Sequence, residues 1–359
     1  MSNEGNLPLQ ACHPVTEEIS KDGLVIPIID FAPFLNGTPA EKHAVAVSIV
    51  HAFRTSGFLY LKDHGIPPSV TSRVFKSSAS FFARPQEQKD SLGWTTPQAN
   101  RGYVRTGREK LSTVEDASFD AETARVKNPD MKESMEIGRE GVEGMPNQWP
   151  DGIDSEGKEF KEVMLDFFTQ CKDLHVRVMQ AIALGMSLPS HFFDEFVDAG
   201  DNNLRLLHYP AVHRDVFKSN PNQVRAAEHS DYGSITLLFQ DRRGGLQARS
   251  PEGTFVDVTP FTDTVVVNAG DLLARWSNDT IKSTKHRVIE PPKMYGEEEG
   301  EESEMYPERY SIAYFCNPNM DKFIEAIPGT YGEGEDINKA KYPGITAGDY
   351  LVQRLSATY

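Results

Sequence analysis

Cysteine is scarce in this chain: Cys12, Cys171 and Cys316 are three among 359 residues, an odd number set far apart. No disulfide framework is implied, and a reducing compartment is expected. Long apolar runs are missing as well. None approaches the roughly 20 residues of a membrane-spanning helix, and Met1–Gln10 lacks the basic-then-apolar order of a secretory leader. The closing Ala-Thr-Tyr is not a peroxisomal address. Positive charge is in deficit, with 37 Lys and Arg against 53 Asp and Glu, a net charge of −16. Phosphate backbones reward basic surfaces, so a nucleic-acid partner is disfavoured. The expectation is a cytoplasmic, monomeric protein with neither membrane nor nucleic acid as partner.

What is present suits one globular body. Hydrophobic residues make up 38% of the chain, the mean hydropathy is −0.47, and a chain of this length can still form a single unit. There is no internal repeat. Residues 1–22 read as a polar N-terminal arm. Residues 23–200 read as helix-rich: Ala46, Ile49, Val50 and Phe53 form one apolar stripe, and Val70, Val74, Phe81 and Phe82 another. A longer helix is expected from about Ser155 to Leu184, burying Phe160, Val163, Met164, Phe167, Cys171, Leu174 and Val178 and ending at Gly185. Ser187 and Pro189 suit the cap and first turn of another short helix.

Residues 201–320 change character, to short strands separated by Gly, Pro and Asp. That pattern fits a double-sheet jelly roll, whose mouth holds a ligand. The fold class expected is therefore α+β, a jelly-roll (double-stranded β-helix) core with flanking helices mostly from the N-terminal half. Residues 321–359 are a C-terminal extension in which Leu351 and Leu355 are spaced for a lid helix or for plain packing. The acidic run Gly296–Glu304 reads as a solvated connection rather than a cation site, because like charges repel and nothing apolar anchors them.

Four residues carry the chemistry. His229 and Asp231 are written H-S-D, His286 follows at a distance, and Arg309 comes later still. Two imidazoles and one carboxylate are the ligand set of the facial triad that holds non-haem Fe(II) and leaves positions open. Residues two apart on a strand leave the same face, so His229 and Asp231 can reach one ion. H-x-D alone is a weak signal. Its context is stronger: Ile235–Gln240 is β-branched and apolar, Thr284, His286 and Val288 share a face, and Arg309, Ser311 and Ala313 alternate likewise. The fork of Arg309 suits a carboxylate held by two parallel hydrogen bonds. Together these residues describe an iron oxygenase served by a carboxylate cosubstrate.

The chain resembles the 2-oxoglutarate/Fe(II)-dependent dioxygenases of the group containing isopenicillin N synthase and plant flavonoid oxygenases. The likeness runs from about Ile26 to Phe315. It rests on Ile26-Pro-Ile-Ile-Asp-Phe31, Gly57–Ile66, Lys132–Gly138, Asn147-Gln-Trp-Pro150, Leu204–Pro210, Asn268-Ala-Gly-Asp271 and Trp276-Ser-Asn278, in that order. The resemblance implies His229, Asp231 and His286 as iron ligands, with Arg309 and Ser311 at the distal carboxylate of 2-oxoglutarate and Tyr209 near the cosubstrate. Asn268 and Asp271 are expected to shape a turn rather than to touch substrate. The cofactors implied are Fe(II) and 2-oxoglutarate, with ascorbate assisting and O2 consumed.

The reaction expected is hydroxylation, desaturation or ring closure of a small organic metabolite, acidic or heterocyclic, in secondary or catabolic metabolism, with release of succinate and CO2. Arg105 and Arg108, in the 101–110 stretch that the family places over the cavity mouth, are candidates for a substrate carboxylate. Two alternatives stand. One is an isopenicillin N synthase-like oxidase that uses O2 without 2-oxoglutarate, Arg309 and Ser311 then holding the substrate's own carboxylate. The other is a non-catalytic jelly-roll binding protein, which should show a broken ligand set.

Overall fold

The computed structural model describes residues 15–95, 100–107, 130–220, 223–290, 304–331 and 340–356. Its principal sheet has nine strands, in the order β1 (Val15–Lys21), β2 (Leu24–Asp30), β3 (Phe58–Lys62), β11 (Thr264–Ala269), β8 (Ile235–Gln240), β13 (Arg309–Cys316), β6 (Asn203–Tyr209), β5 (Glu133–Gly138) and β4 (Gly102–Val104). A facing sheet of four runs β10 (Phe255–Asp257), β9 (Leu246–Arg249), β12 (His286–Val288) and β7 (Ala226–His229). Pairing within these sheets is antiparallel except between β2 and β3. The helices that matter here are α1 (Pro39–Thr55), α2 (Pro68–Phe82), α3 (Ser155–Gly185), α4 (Asp271–Trp276) and α5 (Ala347–Ser356).

Alternation along the strands sorts side chains into two layers. On β13, Ile312, Tyr314 and Cys316 join the core beneath α3, with Tyr314 edge-on to Phe168. Arg309, Ser311, Ala313 and Phe315 point the other way, into the space between the sheets. β6 divides likewise: Leu204 and Leu206 face the helices, while Leu207 and Tyr209 face the second sheet. The large sheet is thus apolar on its helical side and mixed on the inner side, where a ligand must be held.

The helices follow the sequence periodicity. The α1 stripe is buried, and so are the expected α3 residues from Phe160 to Val178. Thr38 and Glu41 form a capping box that starts α1, with the Thr38 amide donating to Glu41 Oε2 at 2.7 Å. Two expectations, those for the N-terminal arm and for the segment after Gly185, need correction. The N-terminal arm is partly ordered as β1, which turns at Asp22-Gly23 into β2. Both turn residues have positive φ, 50° and 73°, the backbone that a two-residue hairpin requires. The region from 23 to 200 contributes four strands to the large sheet besides its helices. The short helix expected from Ser187 and Pro189 starts later, at Asp194–Val197, after a stretch of turns in which Ser187 has φ 64°, outside helical space. Cys12, and the acidic run apart from Glu304, lie outside the described residues.

Candidate active site

The second sheet and a tight turn bring the three metal-type residues together. His229 ends β7, and His286 opens β12 directly opposite it. Asp231 is not on a strand, as the two-residue spacing suggested, but in the turn that leaves β7. That turn is pressed against neighbouring backbone, which is why glycines flank it. A Cβ at Gly233 would stand 2.3 Å from the Cys316 carbonyl oxygen, and one at Gly270 would stand 2.4 Å from that of Gly233. The Asp271 amide donates to the Asp231 carbonyl at 2.7 Å and fixes the turn from the far side.

One ligand atom from each of His229, Asp231 and His286 lies within 4.8 Å of the others. Asp231 Oδ1 is 4.0 Å from His229 Nε2 and 3.7 Å from His286 Nε2. Each imidazole has its Nδ1 against a carbonyl, Ala227 at 2.8 Å and Thr284 at 3.2 Å. A carbonyl has no proton to give, so Nδ1–H is the donor and the Nε2 lone pair is left for a metal. Burial, and then the neighbouring His286 ring, hold His229 below the ordinary imidazole pKa, in the neutral form that ligates. Burial alone would raise the Asp231 carboxyl, but His286, His229, Asn268 and Thr236 outweigh it and keep the group ionised. Its Oδ2 accepts from Thr236 Oγ1 at 2.6 Å and from Asn268 Nδ2 at 2.7 Å, which leaves Oδ1 facing the histidines. The donor set fits Fe(II), whose preferred ligands are imidazole nitrogen and carboxylate oxygen.

Arg309 and Ser311 share the inner face of β13, each 1% exposed. The guanidinium donates to the Gly244 carbonyl at 2.7 Å, to Ser311 Oγ at 3.1 Å and to Gln240 Oε1 at 3.5 Å, and lies 4.9 Å from the centre of the Tyr209 ring. All of these partners are neutral. Arg225, entirely buried, donates to the carbonyls of Tyr209, Pro210 and Pro307. Its pKa is pushed down to about 10, first by burial and then by the charge of Arg309. Two guanidiniums in an apolar interior form a site suited to an anion.

A cavity of about 470 Å³ joins Arg309 to the triad and runs on to Phe315, Arg205 and Asn203. Leu351 and Leu355 of α5 line its mouth. Of the arginines expected there, Arg105 is turned outward in an ion pair with Asp90, and Arg108 lies outside the described residues. Arg101 lines the cavity instead, donating to the carbonyls of Arg139 and Met145. Asn268 belongs to β11 rather than to a turn and holds an iron-type ligand, a role the sequence reading missed together with that of Thr236. Asp271 does open the next element, α4.

Family comparisons agree with this geometry. The pattern described as non-haem dioxygenase in morphine synthesis N-terminal matches residues 26–152, and that of the 2OG-Fe(II) oxygenase superfamily matches residues 200–318. The chain belongs to the 2OG-Fe(II) oxygenase superfamily. It is 35% identical to the 2-oxoglutarate-Fe(II) type oxidoreductase ppzD of Metarhizium rileyi, over 92% of this chain and 90% of that protein. A full-length Neurospora crassa protein, in a crystal structure with alpha-KG and thymine, matches with TM-score 0.85 and 56% identity, covering 95% of this chain and 99% of that one. The same Neurospora crassa protein with alpha-KG and 5-formyluracil matches with TM-score 0.82 and 55% identity, over 95% and 98%. The chain is a 2-oxoglutarate-dependent Fe(II) dioxygenase that acts on a small molecule, built on a jelly-roll core with flanking helices. No helix among the described residues is long and apolar enough to cross a membrane.

Proposed function

We propose that this dioxygenase hydroxylates the methyl group of a thymine-type pyrimidine base, with His229, Asp231 and His286 as iron ligands and Arg309, Ser311 and Tyr209 holding 2-oxoglutarate. The observation that carries the substrate is the polar-aromatic end of the cavity. Phe315 presents a ring there, with the Arg205 guanidinium 5.2 Å from its centre. Glu136 fixes Arg205 by an Nε to Oε1 contact of 2.5 Å. Asn203 donates to the Asn100 carbonyl at 3.1 Å, while its buried Oδ1 has no partner among the described residues. A planar ring with carbonyl acceptors and N–H donors matches such a face, donor and acceptor. The Neurospora crassa protein, similar over nearly the whole chain, has been crystallised with thymine.

When bound, the iron and 2-oxoglutarate together supply the oxidising power: O2 and the cosubstrate are consumed, succinate and CO2 leave, and one oxygen atom enters a substrate C–H bond. The chain's residues orient and exclude. Asn268 and Thr236 keep Asp231 turned to the metal, Arg309 and Ser311 grip the distal carboxylate, and Phe315 and Arg205 set the base so that its methyl faces the triad. Leu351 and Leu355 keep water from the mouth. A second turnover on the alcohol would yield the aldehyde and water, which is the oxidation level of 5-formyluracil. The net charge of −16 supports action apart from nucleic acid, and the scarcity of cysteine supports a reducing compartment.

Purified protein given Fe(II), ascorbate, O2 and 2-oxoglutarate should release succinate and hydroxymethylated base in step when thymine is added. A metabolite pool that stimulates turnover where thymine does not would overturn the substrate. O2 uptake with no succinate above a metal-free control would favour the oxidase alternative. Normal turnover in His229→Ala or His286→Ala would remove those residues from the iron.

A further inference from the structure

Asp271 receives contacts from three separate segments. Its Oδ2 accepts from Ser230 Oγ at 2.9 Å and pairs with Arg354 Nη2 at 2.8 Å, while its Oδ1 accepts from Ser283 Oγ at 2.6 Å. Ser230 lies between His229 and Asp231, and Ser283 lies three residues before His286. Arg354 belongs to α5, the helix whose leucines line the cavity mouth. Its guanidinium also covers the ring of Tyr232, 4.7 Å from the centre, and Tyr232 follows Asp231 directly. A single carboxylate therefore touches both arms of the candidate iron site and the helix above them. A second tie between α4 and the same C-terminal segment is Arg275, which donates to the Pro343 carbonyl at 2.6 Å.

We infer that Asp271 is a positioning residue that couples the seating of α5 over the cavity to the geometry of the iron ligands, an inference that rests on His229, Asp231 and His286 binding the metal. An ionised carboxylate has about four lone-pair sites, enough for two hydroxyls and a guanidinium at once. The side chain is only 18% exposed, so solvent screens the pair less than it would a surface ion pair. Coupling of this kind is reciprocal. Iron and cosubstrate steady the Ser230 and Ser283 segments, hence Asp271, hence Arg354 and the helix. A loosened α5 in turn lets both loops drift. Closure over the substrate then follows from loading of the site, which keeps water out when the chemistry is ready.

The test is amide hydrogen exchange across residues 347–356, measured anaerobically on the protein alone and with Fe(II) plus 2-oxoglutarate. Loading should slow exchange by about five-fold or more in the native protein. That dependence should vanish in Arg354→Gln and in Asp271→Asn, and return in part in Arg354→Lys. Both Gln and Asn variants should also bind Fe(II) more weakly, read from the absorption of the anaerobic iron–2-oxoglutarate complex. The double variant should be no worse than Asp271→Asn alone. A plain structural anchor would instead raise exchange equally with and without loading, and that result overturns the coupling, as does additive loss in the double variant. If Asp271→Asn does not fold, Arg354→Gln decides alone. Iron binding by His229→Ala would sink the ligand assignment, a failure distinct from absent coupling in a native protein that binds iron.

Discussion

A guanidinium as buried as that of Arg309, with only neutral hydrogen-bond partners among the described residues, gains most from a ligand that brings negative charge. Removing one partner of such a pair costs roughly 2–5 kcal/mol. Arg309→Ala should therefore weaken 2-oxoglutarate binding by about 30-fold or more, at tenfold per 1.4 kcal/mol. Arg309→Lys should recover part of this, since a point charge cannot reproduce the fork. Unchanged cosubstrate affinity in Arg309→Ala would take the residue out of the site. Asn268 acts one step back, by donating to Asp231 Oδ2. Asn268→Ala should lower Fe(II) affinity on the order of 10–100-fold, the usual range for a partner of a metal ligand, while Asn268→Asp should do more damage by repelling Asp231. Equal iron titrations for the native and Ala forms would show the bond to be idle. The candidate metal ligands were legible in the sequence because iron accepts few residue types, and H-x-D with a distant His points to the three residues that the structure brings within 4.8 Å of one another. Their supports were not. Asn268 and Arg205 take their roles through contacts with residues distant in the chain, Asp231 and Glu136, and Thr236 through a turn that folds it back on Asp231, none of which a local pattern records.

At the scale of elements, period-3.6 stripes marked α1, α2 and α3 well, because one side of each packs on the sheet while the other meets solvent. Short strands were harder to see. Glu133–Gly138 is buried along its whole length yet carries two glutamates, so it shows neither alternation nor an apolar run. Lys89, His208 and Tyr103 meet Glu133 on one side, and Arg205 meets Glu136 on the other. β1 was missed because its residues are mostly exposed, although Asp22-Gly23 is a hairpin signal. The α1 capping box gives a quantitative check. Thr38→Ala removes a side-chain acceptor from the first turn and should destabilise the protein by about 1 kcal/mol, with kcat unaltered because α1 does not border the cavity. A melting temperature equal to that of the native protein would show that the box carries no weight.

For the whole molecule, buried ionisable groups set the response to acid. Burial lowers His64 from 6.5 to about 4, and burial with nearby Lys172 lowers His175 from 6.5 to about 3. Between those values the unfolded chain binds the extra protons, so stability falls as pH drops below 6.5. Burial opposes ionisation of Glu133, but bonds from His208, Lys89 and Tyr103 hold its pKa below 4.5, so its contribution, present above that pH, is lost as pH falls through the folded value. The melting temperature of metal-free protein should decline from pH 7 to 5 and more steeply below 4.5. A flat profile between pH 7 and 5 would mean that both rings are charged or solvated in the fold. Sheet order was beyond the reach of the sequence, and it has a consequence for assembly. β3 pairs with β2 on one side and with β11, some 200 residues later, on the other. β5 is likewise bound to β6 across the interval that separates the two matched family segments. The segments are therefore not separable modules. A nascent chain holding only the first of them would present the raw edges of β3 and β5, open to pairing with another copy, until β6 and β11 emerged from the ribosome to seal them. Synthesis rate and chaperone supply, more than final stability, would then govern the yield of active enzyme.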